Sequence, residues 1–334
     1  MRAFLTILLT MSVVGRLAQA PPLPVIDMHL HASAADANGP PPLAMCTPFL
    51  ALARDGRETW PRLFMEAQKK PACPDPVWSP ATDEGVMNET VAILRRRNII
   101  GVVSGSLDRV HSWRSAAHDR IIPALGFQLG PESPSPDAIA RLHADGQFVV
   151  LGEVTNQYVG IPPGDPAFEP YLAVAEKSDI PVGIHIGTGP PGAPYLGFER
   201  YRAALHSPLL LEDVLVRHPA LRVYIMHAGW PMLENLLALL WAHPQVHVDV
   251  GGISWALPRA EFHRFLQRIV DAGFGARVLF GSDQMVWPGL IERAIDAVES
   301  AGFLTERQKR DILYNNAARF LRLSDAQIAA HHGR

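Results

Sequence analysis

The stretch Val25-Ile26-Asp27-Met28-His29-Leu30-His31 decides how the rest of the chain is read. It is apolar and then closes on His-x-His. Side chains alternate across a strand, so His29 and His31 are expected on one face. Two imidazoles at one strand end are half of a divalent-metal site. The other half has to come from later in the chain.

Downstream the chain settles into a regular rhythm of apolar strands, nearly every one followed by a helix. The strands are Val25–His31, Asn98–Gly105, Ile121–Phe127, Phe148–Val154, Pro181–Gly187, Arg222–Gly229, Val246–Gly252 and Arg277–Asp283. Helices are expected over residues 83–96, 136–145, 168–178, 209–217, 231–242, 259–272, 289–300 and 305–322. Short, uniformly apolar strands suit burial on both faces of a parallel sheet. Eight such units in one domain (residues 21–334) make the (β/α)8 TIM-barrel pattern of the α/β class. The competing open, doubly wound sheet lacks a G-x-G-x-x-G after the first strand.

The polar residues at the strand C-termini are His29 and His31 on the first, Glu153 on the fourth, His185 on the fifth, His227 on the sixth and Asp283 on the eighth. That end of the strands carries the active site of such a barrel. Four of the 14 histidines fall there, although strand ends make up only a small part of the chain. This mixture of nitrogen and oxygen donors suits Zn²⁺, with Mn²⁺, Fe²⁺ or Co²⁺ as alternatives.

The first twenty residues are read apart from the fold. Arg2, an apolar run from Phe4 to Val14 and the Ala18-Gln19-Ala20 cleavage pattern make a secretory signal peptide over residues 1–20. A periplasmic or secreted protein with no membrane anchor after cleavage is expected. Export permits a disulfide, and the two cysteines, Cys46 and Cys73, are expected to be bonded. Both lie in the Pro-rich stretch 32–84, a long loop after the first strand with one helix near residues 56–68. A loop that long in a compact domain is usually functional, often a lid. The formal net charge of −3, without a basic run, gives no basis for binding nucleic acid. The partner expected is a small-molecule substrate, and a homo-oligomer is compatible with this composition.

These motifs resemble the amidohydrolase superfamily of metal-dependent TIM-barrel hydrolases, and within it the amidohydrolase-related (amidohydrolase 2) branch. The resemblance rests on Ile26-Asp27-Met28-His29-Leu30-His31, Gly183-Ile184-His185, Met226-His227-Ala228-Gly229, Phe280-Gly281-Ser282-Asp283 and Asn315-Asn316-Ala317-Ala318-Arg319-Phe320-Leu321. It covers about residues 24–323. It implies that His29, His31 and His185 hold the metal, with Glu153 and Asp283 beside them. Asp283 would take a proton from water and return it to the leaving group. His227 would either bind a second metal or polarise the substrate carbonyl. Many binuclear members bridge their metals with a carboxylated lysine on the fourth strand. Here the four lysines, Lys69, Lys70, Lys177 and Lys309, all lie away from strand ends. Glu153 stands in that place, either as a bridge between two ions or beside one.

The leading reading is an exported metal-dependent hydrolase of a C–N or C–O bond: an amide, cyclic amide, lactone or ester. A metal-dependent decarboxylase of the same branch is the second, and its cationic clamp would come from Arg109, Arg200 or Arg259. A non-catalytic ligand-binding barrel is the third, and retention of Asp283 argues against it. Expected substrate contacts are Tyr158, Trp255 and Trp287, with Gln157, Trp230 and the Gly187–Gly192 turn as further candidates. Asp27 is expected to be a buried orienting group. Asp249, which shares a strand face with His247, is a candidate to reach the site.

Overall fold

The computed structural model describes residues 22–333. The expected signal peptide therefore lies outside the described residues. Eight parallel strands form one sheet in chain order: β1 (Val25–His31), β2 (Ile99–Ser104), β3 (Ile121–Phe127), β4 (Val150–Val154), β5 (Val182–His185), β6 (Val223–Met226), β7 (Val246–Asp249) and β8 (Val278–Leu279). The register runs Val25 to Ile99, Gly101 to Ile121, Ala124 to Val150, Leu151 to Val182, and on to Val278 beside Val248. Two backbone hydrogen bonds bring β8 back to β1. Met28 N–H donates to Phe280 O (2.9 Å) and Asp283 N–H to His29 O (2.7 Å). The expected barrel is formed.

Its two apolar layers follow from strand alternation. Ile26, Met28, Ile100, Val102, Ala124, Val150, Tyr224, Met226 and Leu279 fill the interior. Val25, Leu30, Val103, Val182, Val223 and Val248 face outward to the helices. Tyr314 and Phe320, from the last turns of the chain, join the interior layer and plug the end opposite the site. The expected single helix 305–322 is divided there into Glu306–Arg310, a wide π turn over Asp311–Asn315, and Asn316–Phe320. Asn316 explains the division: it is buried and donates to Gly275 O (2.9 Å) and Val278 O (2.7 Å) under β8.

Several strands end earlier than expected, and this places the site. His227, Ala228 and Asp283 all take positive φ (62°, 50° and 53°), where non-glycine residues are uncommon. The chain leaves the ladder at those points and turns its side chains toward the barrel axis. Register shifts between Asp27 and Leu30 and between Leu151 and Val154 act similarly on β1 and β4. Strict alternation does not carry His29. Ile26 and Met28 already belong to the interior, and the shift lets His29 follow them inward.

The stretch 32–82 is more ordered than its composition suggests. Ala44–Met45 pairs antiparallel with Val77–Trp78, and Trp60–Lys69 is helical. Cys46 and Cys73 are bonded as expected, with Cα atoms 5.9 Å apart. No helix among the described residues is long and apolar enough to cross a membrane.

Candidate metal centre at the strand ends

The strand ends bring four imidazoles and two carboxylates together. Glu153 lies at the middle of them. Its Oε1 is 3.5 Å from His227 Nε2, 3.6 Å from His29 Nε2 and 3.9 Å from His185 Nε2, and its Oε2 is 3.7 Å from His31 Nε2. Asp283 Oδ1 is 3.1 Å from His31 Nε2 and 3.7 Å from His29 Nε2. Two groups of three share His29: His29, Glu153 and His227, and His29, His31 and Asp283.

The outer nitrogens show which way each ring faces. His29 Nδ1 meets Asp249 Oδ2 at 3.0 Å, His185 Nδ1 meets Gln157 Oε1 at 3.1 Å, and His227 Nδ1 meets Gly251 O at 2.8 Å. Each partner is an oxygen that accepts, so each Nδ1 carries the proton. Gln157 is fixed in that sense: its Nε2–H donates to Gly187 O (2.9 Å) while its Oε1 also takes Gly187 N–H (3.2 Å). All three Nε2 atoms therefore present lone pairs to the centre, as metal-bound histidines do. His29 Nε2 and His227 Nε2 are buried and have no hydrogen-bond partner. Buried polar atoms are rarely left so, and the residues present fit a divalent ion.

Electrostatics point the same way. Burial pushes the Glu153 carboxyl up, but the neighbouring His227 and His29 imidazoles outweigh it and hold the group well below the usual carboxylate range. Asp249 is likewise held low, against its burial, by His29 and then His227. Burial, followed by the neighbouring His227, keeps the His185 ring neutral. Burial opposes charge on His29, yet Asp249 and Asp283 together carry it well above its ordinary value. The cluster is built to surround positive charge.

A second layer of side chains sets these positions. Asp27 is buried, and its Oδ1 accepts His29 N–H (3.0 Å) and Ser282 N–H (2.9 Å). Burial raises its carboxyl to about 7. Trp255 Nε1–H holds the Ser282 carbonyl (2.7 Å), so the peptide before Asp283 is gripped from both sides. Gln284 pairs with the backbone of His31 through both its amide atoms (3.0 and 2.8 Å). Sequence reading missed Gln284, which lies beside Asp283 but carries no motif of its own.

Several expected substrate contacts have other tasks. Trp287 is fully buried and donates to Leu43 O (2.9 Å), so it is a core residue that anchors the long loop. Trp255 is buried too, and acts through Ser282. Gln157 orients His185 and is also buried. Tyr158 does stand at the site: its ring lies 4.7 Å from that of His185. Burial, followed by the Glu153 charge, pushes its phenol well above the usual range and keeps it a hydrogen-bond donor. The candidate clamp arginines have other partners or face solvent. Arg109 pairs with Asp83 (2.8 Å), Arg259 with Asp296 (2.9 Å), and Arg200 is exposed. Two histidines outside the cluster, His206 and His218, are also buried.

A family model spans the same stretch of chain. The Amidohydro_2 model, an amidohydrolase, matches residues 26–323. The chain belongs to this amidohydrolase family. The Amidohydro_2 match begins inside β1 and ends after the interior plug, so it takes in every residue of the cluster. Solved structures share the fold at low identity. A TIM-barrel protein from Bordetella bronchiseptica is 19% identical, with a TM-score of 0.58 over 93% of this chain and 100% of that one. A protein described as a probable 2-pyrone-4,6-dicarboxylic acid hydrolase from Acinetobacter baumannii is 18% identical (TM-score 0.56, 90% and 99%). A 5-carboxyvanillate decarboxylase from Sphingomonas paucimobilis is 15% identical (TM-score 0.57, 90% and 100%). No curated protein matches the chain in sequence.

Proposed function

We propose that this amidohydrolase-family chain is a metal-dependent hydrolase that splits a C–N or C–O bond of a small amide, cyclic amide, lactone or ester. The observation that carries the reading is the seat of Asp283. Its carboxylate lies against His31 and His29, and its side chain keeps contact with solvent (13% exposed). His29, His31, His185 and Glu153 would hold the ion, with His227 completing a second group around His29. A bound divalent cation supplies Lewis acidity and makes water acidic enough to lose a proton near neutral pH. Asp283 accepts that proton and returns it to the leaving atom. Tyr158, a neutral donor beside His185, orients the substrate.

The test is a panel of lactones, esters and amides run on the zinc- and manganese-loaded protein and on Asp283→Asn. Loss of about 10²–10⁴-fold in kcat is expected where a proton acceptor is removed. Hydrolysis undiminished in Asp283→Asn sinks the assignment. Decarboxylation is the second reading, favoured by the decarboxylase among the solved structures of the same fold. It would show as CO₂ release from aromatic acids without hydrolysis of any ester or lactone. We further propose action in the periplasm or outside the cell, supported by the leader-like residues 1–20 and the Cys46–Cys73 bond.

A further inference from the structure

Sequence alone marks the stretch after β1 as long and Pro-rich. The structure ties it to three loops at the site end of the barrel. Leu43 O accepts Trp287 Nε1–H, after β8. Phe49 N–H donates to Ala256 O (2.9 Å), after β7. Trp60 Nε1–H donates to Pro191 O (2.8 Å), after β5. β1 and β5 stand four places apart in a ring of eight. A segment that leaves one and is fastened beyond the other walls half the mouth. The Cys46–Cys73 bond ties the two ends of this segment to each other. Phe64 stiffens it from within, 5.8 Å from the Phe49 ring and 6.3 Å from Trp60.

The seat of Trp60 is made for an indole. Gly192 has φ +72°, and a Cβ there would lie 2.2 Å from Trp60 Nε1. The same turn begins at Gly187, two residues beyond His185. Midway along it, a Cβ on Gly189 would lie 2.8 Å from the Tyr158 hydroxyl. One short turn therefore joins the Trp60 seat to the metal-facing imidazole and to the phenol tilted against it at 56°. At the mouth, His31, Asp283 and Glu153 are largely shielded and keep only 16%, 13% and 12% of their side-chain exposure.

We propose that the segment Cys46–Cys73 is a size-selecting wall of the mouth and that Trp60 is its specificity-determining latch, admitting small ligands and excluding bulky ones. One of the two tests below rests on the metal-centre reading, and the other is independent of it. In metal-free protein, carbethoxylation of His31 by diethyl pyrocarbonate, followed by peptide mass spectrometry, measures access directly. In zinc-loaded protein, the rate of zinc loss to flat pyridine-2,6-dicarboxylate is compared with loss to bulkier EDTA. Wild type is compared with Trp60→Ala, Trp60→Phe and the Cys46→Ser/Cys73→Ser double variant.

We expect His31 modification to rise at least tenfold in Trp60→Ala, which loses the hydrogen bond, worth about tenfold in population, and the packing of the indole as well. The double variant should rise similarly and Trp60→Phe less. Wild type should favour the flat chelator, and both opened variants should lose that preference. Unchanged His31 modification in folded Trp60→Ala and in the double variant overturns the proposal. If wild type takes up no zinc, the metal reading falls, and His31 modification alone still decides the wall.

Discussion

Asp249→Asn changes one atom in a side chain that touches no substrate, and its effect follows from three hydrogen bonds. Asp249 Oδ1 accepts two backbone donors, His227 N–H (3.0 Å) and Gly251 N–H (2.9 Å), and Oδ2 accepts His29 Nδ1–H (3.0 Å). In asparagine the oxygen must stay with the two backbone donors. The new NH₂ then faces His29 Nδ1. Two donors cannot share that contact, so the imidazole moves its proton to Nε2, the atom that faces Glu153 and Asp283. Metal binding has to restore the other tautomer against the amide. The cost is one charge-assisted hydrogen bond, about 1.5–3 kcal/mol. At 1.4 kcal/mol per decade this is a loss of roughly 10–150-fold in metal affinity, in the range known for partners that orient metal-bound histidines. Competition with a chromophoric chelator for Zn²⁺ and Mn²⁺ measures it, with circular dichroism and melting temperature as the check on folding. Affinity within twofold of wild type, in a folded protein, would refute the tautomer argument and with it the role of His29.

Three further outcomes are expected. Gln157→Leu removes the acceptor for His185 Nδ1 and both bonds to Gly187, so metal affinity should fall about 10–100-fold in the same chelator assay. Trp287→Ala should cost about 3–5 kcal/mol in urea unfolding, as for a buried aromatic. A large loss of ligand affinity with unchanged stability would instead make Trp287 a substrate contact. Burial lowers His247 from 6.5 to about 4, against the Phe320 ring (4.8 Å). Between those values the unfolded chain binds a proton that the folded chain refuses, so stability falls as pH drops from 6.5 toward 4. The shift amounts to on the order of 3 kcal/mol. Melting temperatures of wild type and His247→Leu across that window should converge toward acid, and parallel curves would count against the burial argument.

The eight-unit barrel was legible because each strand is a short apolar run and nearly every one is followed by a helix, and that pattern survives without any tertiary information. His29, His31, His185, His227, Glu153 and Asp283 could be picked out because each ends such a run. The residues that aim them were harder to see. Asp249 and Gln157 act through Nδ1 atoms on β1 and β5, 220 and 28 residues away in the chain. Nothing local marks a side chain that orients an imidazole from another strand. Trp255 and Trp287, expected as substrate contacts, are buried in the fold. An aromatic after a strand can line a mouth or fill a core, and only packing decides.

The sequence by itself determined the layers, because apolar periodicity fixes which residues must leave water. It also marked the candidate donors, because few residue types bind a divalent ion. Tertiary structure alone decided where those donors point. Register shifts in β1 and β4 and left-handed turns at His227 and Asp283 rotate side chains by amounts that no periodicity records. It alone decided the wall over the mouth, since hydrogen bonds from Trp60, Phe49 and Trp287 join segments that meet only when the barrel closes.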